Sequence, residues 1–149
     1  MTQKFTVSAV IPAKPKAIYD AWLDSRGHAG MTAGGKAKGS TRIGGKHTAW
    51  DGYISGVNLE LVPNKRIVQS WRSAEFTADD KDSKITVTLK PGAGGTKVTL
   101  LHSGVPDSHT GYKAGWHESY FDPMKAYFGK TAPKKKPRAK EMMSAVKKK

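Results

Sequence analysis

The chain contains 149 residues, with 26 Lys or Arg, 12 Asp or Glu and a formal net charge of +14. That length fits one domain with a sizeable core. Cysteine is absent, which excludes disulfide frameworks, thiolate metal sites and cysteine nucleophiles. No apolar run approaches the about 18 residues that a membrane-spanning helix needs, and the N-terminal residues contain no signal-peptide core. We therefore expect a cytoplasmic protein, or a nuclear one if the cell has a nucleus.

The positive charge is concentrated at the C-terminal end. Residues 130–149 contain nine Lys or Arg and one Glu, a net +8, whereas residues 1–129 contain 17 basic and 11 acidic residues, a net +6. The tail is too highly charged to contribute to a core, and its two prolines disfavour a helix at its start. The composition predicts a folded domain over residues 1–129 and a disordered, lysine-rich tail over residues 130–149.

The first part of the chain predicts one strand and one helix. Apolar and polar residues alternate over residues 3–11, which indicates a strand. The inward face of this strand is predicted to hold Phe5, Val7, Ala9 and Ile11. Residues 15–25 indicate a short helix, and Pro15 is suited to its first turn. Residues 26–41 are rich in Gly, Ala and Lys without a period, so they form a loop, or a short helix followed by a loop.

The middle of the chain predicts a run of further strands. They fall at residues 42–50, 53–62, 66–72, 84–90 and 96–103. Asp51-Gly52 is a strong signal for a tight hairpin, and residues 73–83 form a solvated loop. Consecutive strands joined by short turns favour an antiparallel meander. One strand is predicted to share a face among Tyr53, Ser55, Val57, Leu59 and Leu61, and the next among Ile67, Gln69 and Trp71. Ile85, Val87 and Leu89 are predicted to point inward, and Val98, Leu100 and His102 to point the same way as one another, so that parity places Gln69 and His102 on the inner face.

The last predicted element is an aromatic helix over residues 115–128. Its large apolar side chains recur every fourth residue, which places them on one stripe. The stripe consists of Trp116, Tyr120, Met124 and Phe128, and it is widened by Phe121 and Tyr127. Pro123 removes one helical hydrogen bond, so we expect the helix to bend near residues 119–123. A helix this apolar needs a large partner, and the sheet is the natural one.

Several short segments occur in an order that resembles a known family. They are residues 50–56 (WDGYISG), 61–63 (LVP), 67–72 (IVQSWR), 99–106 (TLLHSGVP) and 115–123 (GWHESYFDP). Over about residues 3–129, the chain resembles the activator of heat shock protein 90 (Hsp90) ATPase homologue family, in the START-like (SRPBCC) superfamily.

The resemblance implies an α+β helix-grip (START-like) fold. In that fold a curved antiparallel β-sheet wraps around a long C-terminal α-helix, often with a cavity between them. Relatives in the superfamily include co-chaperones, lipid and polyketide binders, and cyclases. The eukaryotic co-chaperone also carries a separate N-terminal domain, which we expect to be missing because this chain starts at its first strand.

The inward-facing aromatic residues have two interpretations. They fill the core, or they form the wall of a ligand pocket in which Gln69 and His102 orient the ligand. The pocket hypothesis assigns ligand binding to Trp50, Gln69, Trp71, His102, Trp116, Tyr120, Phe121 and Met124. His102 is either a general base or a histidine held in the core by hydrogen bonds. No spacing indicates a metal site, a paired-carboxylate site or a phosphate-binding loop, so we expect no enzyme and no cofactor.

The pocket hypothesis gives one non-enzymatic function, and the family resemblance implies a second. In the first, the domain binds a small hydrophobic molecule, either a lipid or a polyketide-like compound. In the second, it is a monomeric co-chaperone in the stress response, and its basic surface contacts an acidic face of an Hsp90-family chaperone. The tail motif consists of Lys134, Lys135, Lys136 and Arg138. It is a nuclear-import signal, a weak and non-specific nucleic-acid contact, or a solvated segment.

Overall fold

A computed structural model describes residues 2–32, 36–109 and 111–130 of the chain. Residues 131–149, with Lys134, Lys135, Lys136 and Arg138, lie outside this range, so the predictions for the tail stay predictions. The strands are β1 (Thr2–Ile11), β2 (Lys46–Ala49), β3 (Ile54–Val62), β4 (Arg66–Ser73), β5 (Ser83–Gly92) and β6 (Gly95–Pro106). Helices α1 (Pro15–Leu23) and α2 (Ser25–Thr32) lie between β1 and β2. The C-terminal helix consists of α3 (Tyr112–Trp116), a π-helical turn (His117–Phe121) and α4 (Asp122–Lys130).

The strands that the structure describes form one antiparallel sheet in the order β1-β6-β5-β4-β3-β2. Strands β2 to β6 follow one another as a meander, and β1 pairs with β6 to complete the edge. The C-terminal helix packs against this sheet and against α2. This arrangement confirms the α+β class and the helix-grip fold that the sequence predicts.

The predicted inward faces of β4, β5 and β6 are confirmed. Every second residue of these strands is buried, and the predicted polar positions Gln69 and His102 are buried with the apolar ones. In β1, Val7 and Ile11 are buried while Phe5 and Ala9 pack at the edge of the core. Clean alternation therefore identified the core side of these strands correctly.

The prediction that alternate side chains from Tyr53 to Leu61 share one face is wrong, because β3 changes register within this range. Ile54 and Asn58 are buried, whereas Tyr53 and Leu59 are 41% and 45% exposed. The pairing with β4 shifts by one residue between Asn58 and Glu60, which is a β-bulge. An inserted residue reverses the alternation of the strand, and this is why Leu61 again packs against the core.

Two predicted boundaries also differ from the structure. The strand predicted at residues 42–50 is only β2, because residues 42–45 turn and Gly45 N–H donates to the Arg42 carbonyl (3.0 Å). The helix predicted at residues 15–25 ends at Leu23, and α2 begins at Ser25. The Asp24 side chain accepts a hydrogen bond from Gly27 N–H (2.7 Å), which caps α2. Of the alternatives for residues 26–41, the one with a short helix is confirmed, since α2 extends to Thr32. Residues 33–35 lie outside the described residues.

The aromatic stripe of the C-terminal helix is confirmed, since Trp116, Tyr120, Met124 and Phe128 are all buried. The helix is irregular where Pro123 predicts it. The irregularity is a π-helical turn, in which Asp122 N–H donates to the His117 carbonyl. A π-turn directly before the proline adapts the hydrogen-bond ladder to the missing N–H, and it brings Phe121 into the core beside Tyr120.

A buried hydrogen-bond chain connects this helix to the centre of the sheet. Trp116 Nε1–H donates to His102 Nδ1 (3.1 Å), and His102 Nε2 lies 2.8 Å from Ser83 Oγ. Ser83 Oγ–H in turn donates to the Trp71 carbonyl (2.6 Å). Since the indole N–H can only donate and the serine proton is already used, His102 is a neutral imidazole with its proton on Nε2. The core interpretation of His102 is the one that fits this geometry.

A second chain connects the helix to α2 and to the loop before β2. Tyr120 Oη–H donates to His28 Nε2 (2.7 Å), and His28 Nδ1–H donates to the Trp22 carbonyl (2.9 Å). Trp22 Nε1–H donates to Gln69 Oε1 (3.2 Å), and Gln69 Nε2–H donates to Asn58 Oδ1 (2.9 Å). The Asn58 amide then binds the Ser40 and Arg42 carbonyls. Within the described residues, no buried side-chain nitrogen or oxygen lacks a partner.

Burial changes the acidity of the histidines in these chains. It lowers the pKa of His102 from 6.5 to about 4. It lowers the pKa of His28 to about 4 as well, although the hydrogen bond to the Trp22 carbonyl acts in the opposite direction. Burial also lowers the pKa of His47, whose ring contacts the Ser70 carbonyl. All three imidazoles are therefore neutral when the protein is folded at neutral pH.

These shifts predict that the folded state loses stability as the pH falls from about 6.5 towards 4. In that window the unfolded chain binds protons that the buried histidines exclude, so the free energy of unfolding rises with pH. His28 and His102 should each contribute on the order of 3 kcal/mol across the window. Urea unfolding at pH 7.5, 6.5, 5.5 and 4.5 measures the slope, and His102→Gln should reduce it. A free energy that stays constant between pH 6.5 and 4.5 would contradict the buried neutral imidazoles.

Candidate ligand cavity

A cavity of about 440 Å³ lies between the β2–β3 hairpin, β4 and the first turns of the C-terminal helix. Its walls are mainly aromatic, and Tyr53 in its lining is exposed. The described residues that line it are Trp50, Tyr53, Ile54, Trp71, Tyr112, Gly115, Trp116, Ser119 and Tyr120. None of these residues carries a formal charge at neutral pH.

The hairpin wall is shaped by a turn in an unusual backbone conformation. Trp50, Asp51 and Gly52 have consecutive positive φ angles of 53°, 59° and 91°. Asp51-Gly52 forms the tight turn that the sequence predicts, since Tyr53 N–H donates to the Trp50 carbonyl (3.1 Å). The left-handed conformation at Trp50 is not explained by the turn signal, and such conformations cost about 1–3 kcal/mol.

Contacts with the preceding segment hold this turn in place. Asp51 N–H donates to the Lys36 carbonyl (2.9 Å), and Lys36 N–H donates to Asp51 Oδ1 (2.9 Å). Further along, Lys38 and Thr48 exchange a pair of backbone hydrogen bonds of 2.9 Å. The indole of Trp50 is thereby fixed at the rim of the cavity.

The opposite wall is a continuous row of packed rings. The centroids of Trp71 and Trp116 are 5.8 Å apart, those of Trp116 and Tyr120 are 4.6 Å apart, and those of Trp71 and Tyr112 are 5.5 Å apart. Such ring pairs stabilise one another beyond the area that they bury. They form a rigid apolar surface facing the empty space.

Three tyrosines and one serine bring hydroxyl groups to the cavity. Burial raises the pKa of Tyr120 strongly and that of Tyr112 to a lesser extent, so both phenols stay neutral. The hydroxyl of Tyr120 is already bound to His28, and that of Tyr112 lies 3.2 Å from His109 Nδ1. Ser119 and Tyr53 are the other hydroxyl-bearing residues of the lining. The cavity thus offers broad apolar area with a few neutral polar groups.

The structure brings together half of the residues that the sequence assigned to ligand binding. Trp50, Trp71, Trp116 and Tyr120 line the cavity. Gln69 and His102 lie behind this wall, and their side chains are occupied by the two hydrogen-bond chains. The other two predicted residues, Phe121 and Met124, are fully buried in the core outside the lining.

Sequence reasoning missed five residues of the lining. They are Tyr53, Ile54, Tyr112, Gly115 and Ser119. Tyr53 was expected to share a face with Leu61, but the β3 bulge separates the two, and Tyr53 is 41% exposed. Gly115 and Ser119 carry the clearest signal, because two small residues four positions apart on a helix face leave space between large neighbours.

Two further findings concern metal ions and membranes, and both hold for the described residues 2–32, 36–109 and 111–130. There, no group of three or more His, Asp or Glu side chains is placed to hold a metal ion. No helix in those ranges is long and apolar enough to cross a membrane.

Comparison with known proteins identifies a family. The model of the family described as "Activator of Hsp90 ATPase homolog 1-like protein" matches residues 12–129. Among curated proteins, the activator of 90 kDa heat shock protein ATPase homolog of Dictyostelium discoideum is 33% identical over 87 residues, which cover 57% of this chain and 22% of that protein. The mouse homolog 1 is 27% identical over 129 residues, covering 86% of this chain and 38% of that protein. The chain therefore matches well under half the length of these relatives.

Solved structures share the fold. An Hsp90 activator from Plasmodium falciparum superposes with a TM-score of 0.73 at 22% identity, covering 85% of this chain and 96% of that one. A protein from Mesorhizobium loti superposes with a TM-score of 0.74 at 22% identity, covering 87% of this chain and 99% of that one. The sheet and the C-terminal helix are thus shared with proteins of similar size, and the match over residues 12–129 shows that the chain belongs to the activator of Hsp90 ATPase homolog 1-like family.

Proposed function

We propose that this domain binds a small, uncharged and lipophilic molecule in the cavity between the β2–β3 hairpin and the C-terminal helix. The observation that carries the proposal is the cavity of about 440 Å³ with aromatic walls. Ligand pockets commonly measure roughly 300–1,000 Å³ and combine apolar walls with a few placed polar groups. A lipid or a polyketide-like compound of matching size has the required chemistry.

The electrostatics of the lining support an uncharged ligand. A charged group in this space would lose its hydration without meeting an opposite charge, which is costly. An apolar molecule would instead cover the rings of Trp50, Trp71 and Trp116. The left-handed Trp50 supports a functional role for the rim, since strained conformations often occur at binding sites.

A non-enzymatic role is part of the proposal. The described residues of the lining include no carboxylate, lysine or histidine that would act as a general acid or base on a bound molecule. The imidazoles that contact lining residues already have protein partners. His28 accepts a hydrogen bond from Tyr120, His102 accepts one from Trp116, and His109 Nδ1 lies 3.2 Å from the Tyr112 hydroxyl. The function proposed here is therefore binding.

The proposal predicts that filling the cavity weakens binding without unfolding the protein. Gly115 lines the cavity on α3, and a Cβ atom at this position meets no atom within 4 Å. The variant Gly115→Leu gains helix propensity and extends its side chain into the cavity space. The affinity for the neutral fluorescent probe N-phenyl-1-naphthylamine should fall about tenfold or more, a loss of ~1.4 kcal/mol.

Gly129→Leu is the matched control for this experiment. Gly129 lies on α4, its Cβ position is equally open, and it does not line the cavity. Its probe affinity should equal that of the unmodified protein. Displacement of the probe by fatty acids, sterols and flavonoids then identifies the class of ligand. If Gly115→Leu is folded and keeps full affinity, the cavity is not the binding site.

The names of the curated relatives favour a second function, contact with an Hsp90-family chaperone. This contact is a proposal because the chain matches only part of those proteins. A net charge of +6 on residues 1–129 would favour association with an acidic face of the chaperone at low salt. Amide-resolved NMR of the chain with the purified chaperone at low salt should broaden one exposed face. Unchanged spectra would remove this second function.

A further inference from the structure

A second concavity lies at the opposite end of the sheet from the β2–β3 hairpin. It has a volume of about 760 Å³ and is formed by the start of α1, the β3–β4 turn and the end of β5. We call it the basic groove, because its described lining includes five cationic side chains and no acidic one. These are Lys14, Lys16, Lys65, Arg66 and Lys90.

The charge of the basic groove is only partly balanced by the protein. Lys16 pairs with Asp20 (2.9 Å) and Arg66 pairs with Glu60 (2.8 Å), and both pairs are exposed. No carboxylate of the described residues lies within salt-bridge distance of Lys14, Lys65 or Lys90. Lys90 also lies directly opposite Lys97 in the β5–β6 ladder, and like charges at such a position repel each other. An anionic partner would relieve this repulsion.

The walls of the basic groove are held by backbone hydrogen bonds. Leu89 N–H donates to the Lys65 carbonyl (2.8 Å), which joins the β3–β4 turn to β5. Thr96 Oγ1–H donates to the Ala13 carbonyl (2.6 Å), which fixes the segment before α1 against β6. The cationic side chains therefore project from a fixed frame. A partner that binds there does not need to order the backbone first.

Apolar side chains lie between these cations. The exposed or half-buried apolar residues of the lining are Pro15, Val62, Pro63 and Pro91. This combination suits a chain that carries carboxylates at some positions and apolar side chains at others. We propose that the basic groove binds an acidic peptide segment of a protein partner. This proposal rests neither on the cavity nor on the chaperone contact.

The chemistry of the basic groove favours a peptide over a nucleic acid. Its described lining contains no aromatic side chain on which a base would stack. The three cations without an acidic partner are lysines, which act as separate point charges and match carboxylates spaced along a peptide. The apolar side chains have no role in binding a phosphate backbone, whereas they give an acidic peptide with leucine an advantage over one with serine.

The test uses the full chain and fluorescence anisotropy with labelled peptides. The probe is (Glu-Glu-Leu)₄, and the comparison peptides are (Glu-Glu-Ser)₄ and (Lys-Lys-Leu)₄. The variant is Lys14→Gln/Lys65→Gln/Lys90→Gln. Its matched control, Lys4→Gln/Lys81→Gln/Lys113→Gln, removes the same charge from exposed lysines outside the basic groove. The substituted side chains are all exposed, so both variants should fold, which circular dichroism checks.

The proposal predicts that the groove variant weakens (Glu-Glu-Leu)₄ binding about fivefold or more, and the control variant less than about twofold. The leucine peptide should bind more tightly than the serine peptide, binding should weaken with salt, and the lysine peptide should not bind. Equal losses in both variants would assign binding to net charge or to the tail and overturn the proposal.

A second experiment measures binding of the oligonucleotide dT₁₂, which tests whether the basic groove binds nucleic acid instead of a peptide. If the groove variant weakens dT₁₂ binding as much as peptide binding, the peptide assignment is overturned.

Discussion

Burial of the aromatic C-terminal helix against the sheet is the constraint on which the rest of the structure depends. Trp116 and Tyr120 bring an indole N–H and a phenol into the core together with their rings. Each polar group must find a partner there, because an unpaired buried donor costs about 1–3 kcal/mol. His102 and His28 are those partners, and both are held neutral by their surroundings. The same contacts fix the position of the helix relative to β6 and α2.

This pairing also determines where open space remains beside the helix. Gln69 and His102 are the polar residues at the centre of the sheet, and both are already occupied by protein groups. The open space lies instead near the start of the helix, where Gly115 and Ser119 leave room below the β2–β3 hairpin. The result is a cavity of neutral rings and hydroxyls in a domain whose charge lies elsewhere. The cavity and the basic groove share no lining residue, so the two proposals are independent of one another.

Local sequence patterns predicted the fold well and the site only in part. Strict alternation identified the buried face of β4, β5 and β6, and the four-residue repeat identified the buried face of the C-terminal helix. In each of these elements a single period determines which side chains face the core. The reversal in β3 depends on a bulge between Asn58 and Glu60, for which the sequence carries no clear signal. Likewise, the partners of the buried polar groups are distant in sequence, such as Trp22 for Gln69. Periodicity predicts that a side chain is buried and does not predict what it contacts.

The most direct test of the ligand cavity is the response of the tryptophan indole N–H signals to a neutral lipophilic compound. The chain has four tryptophans, and Trp50, Trp71 and Trp116 line the cavity, whereas Trp22 is buried outside the lining and bound to Gln69. In an ¹⁵N-tryptophan NMR titration with N-phenyl-1-naphthylamine, the signals of Trp50, Trp71 and Trp116 should shift and saturate together. The Trp22 signal should change least. Four unchanged signals at a saturating concentration, or a response of Trp22 alone, would contradict the account.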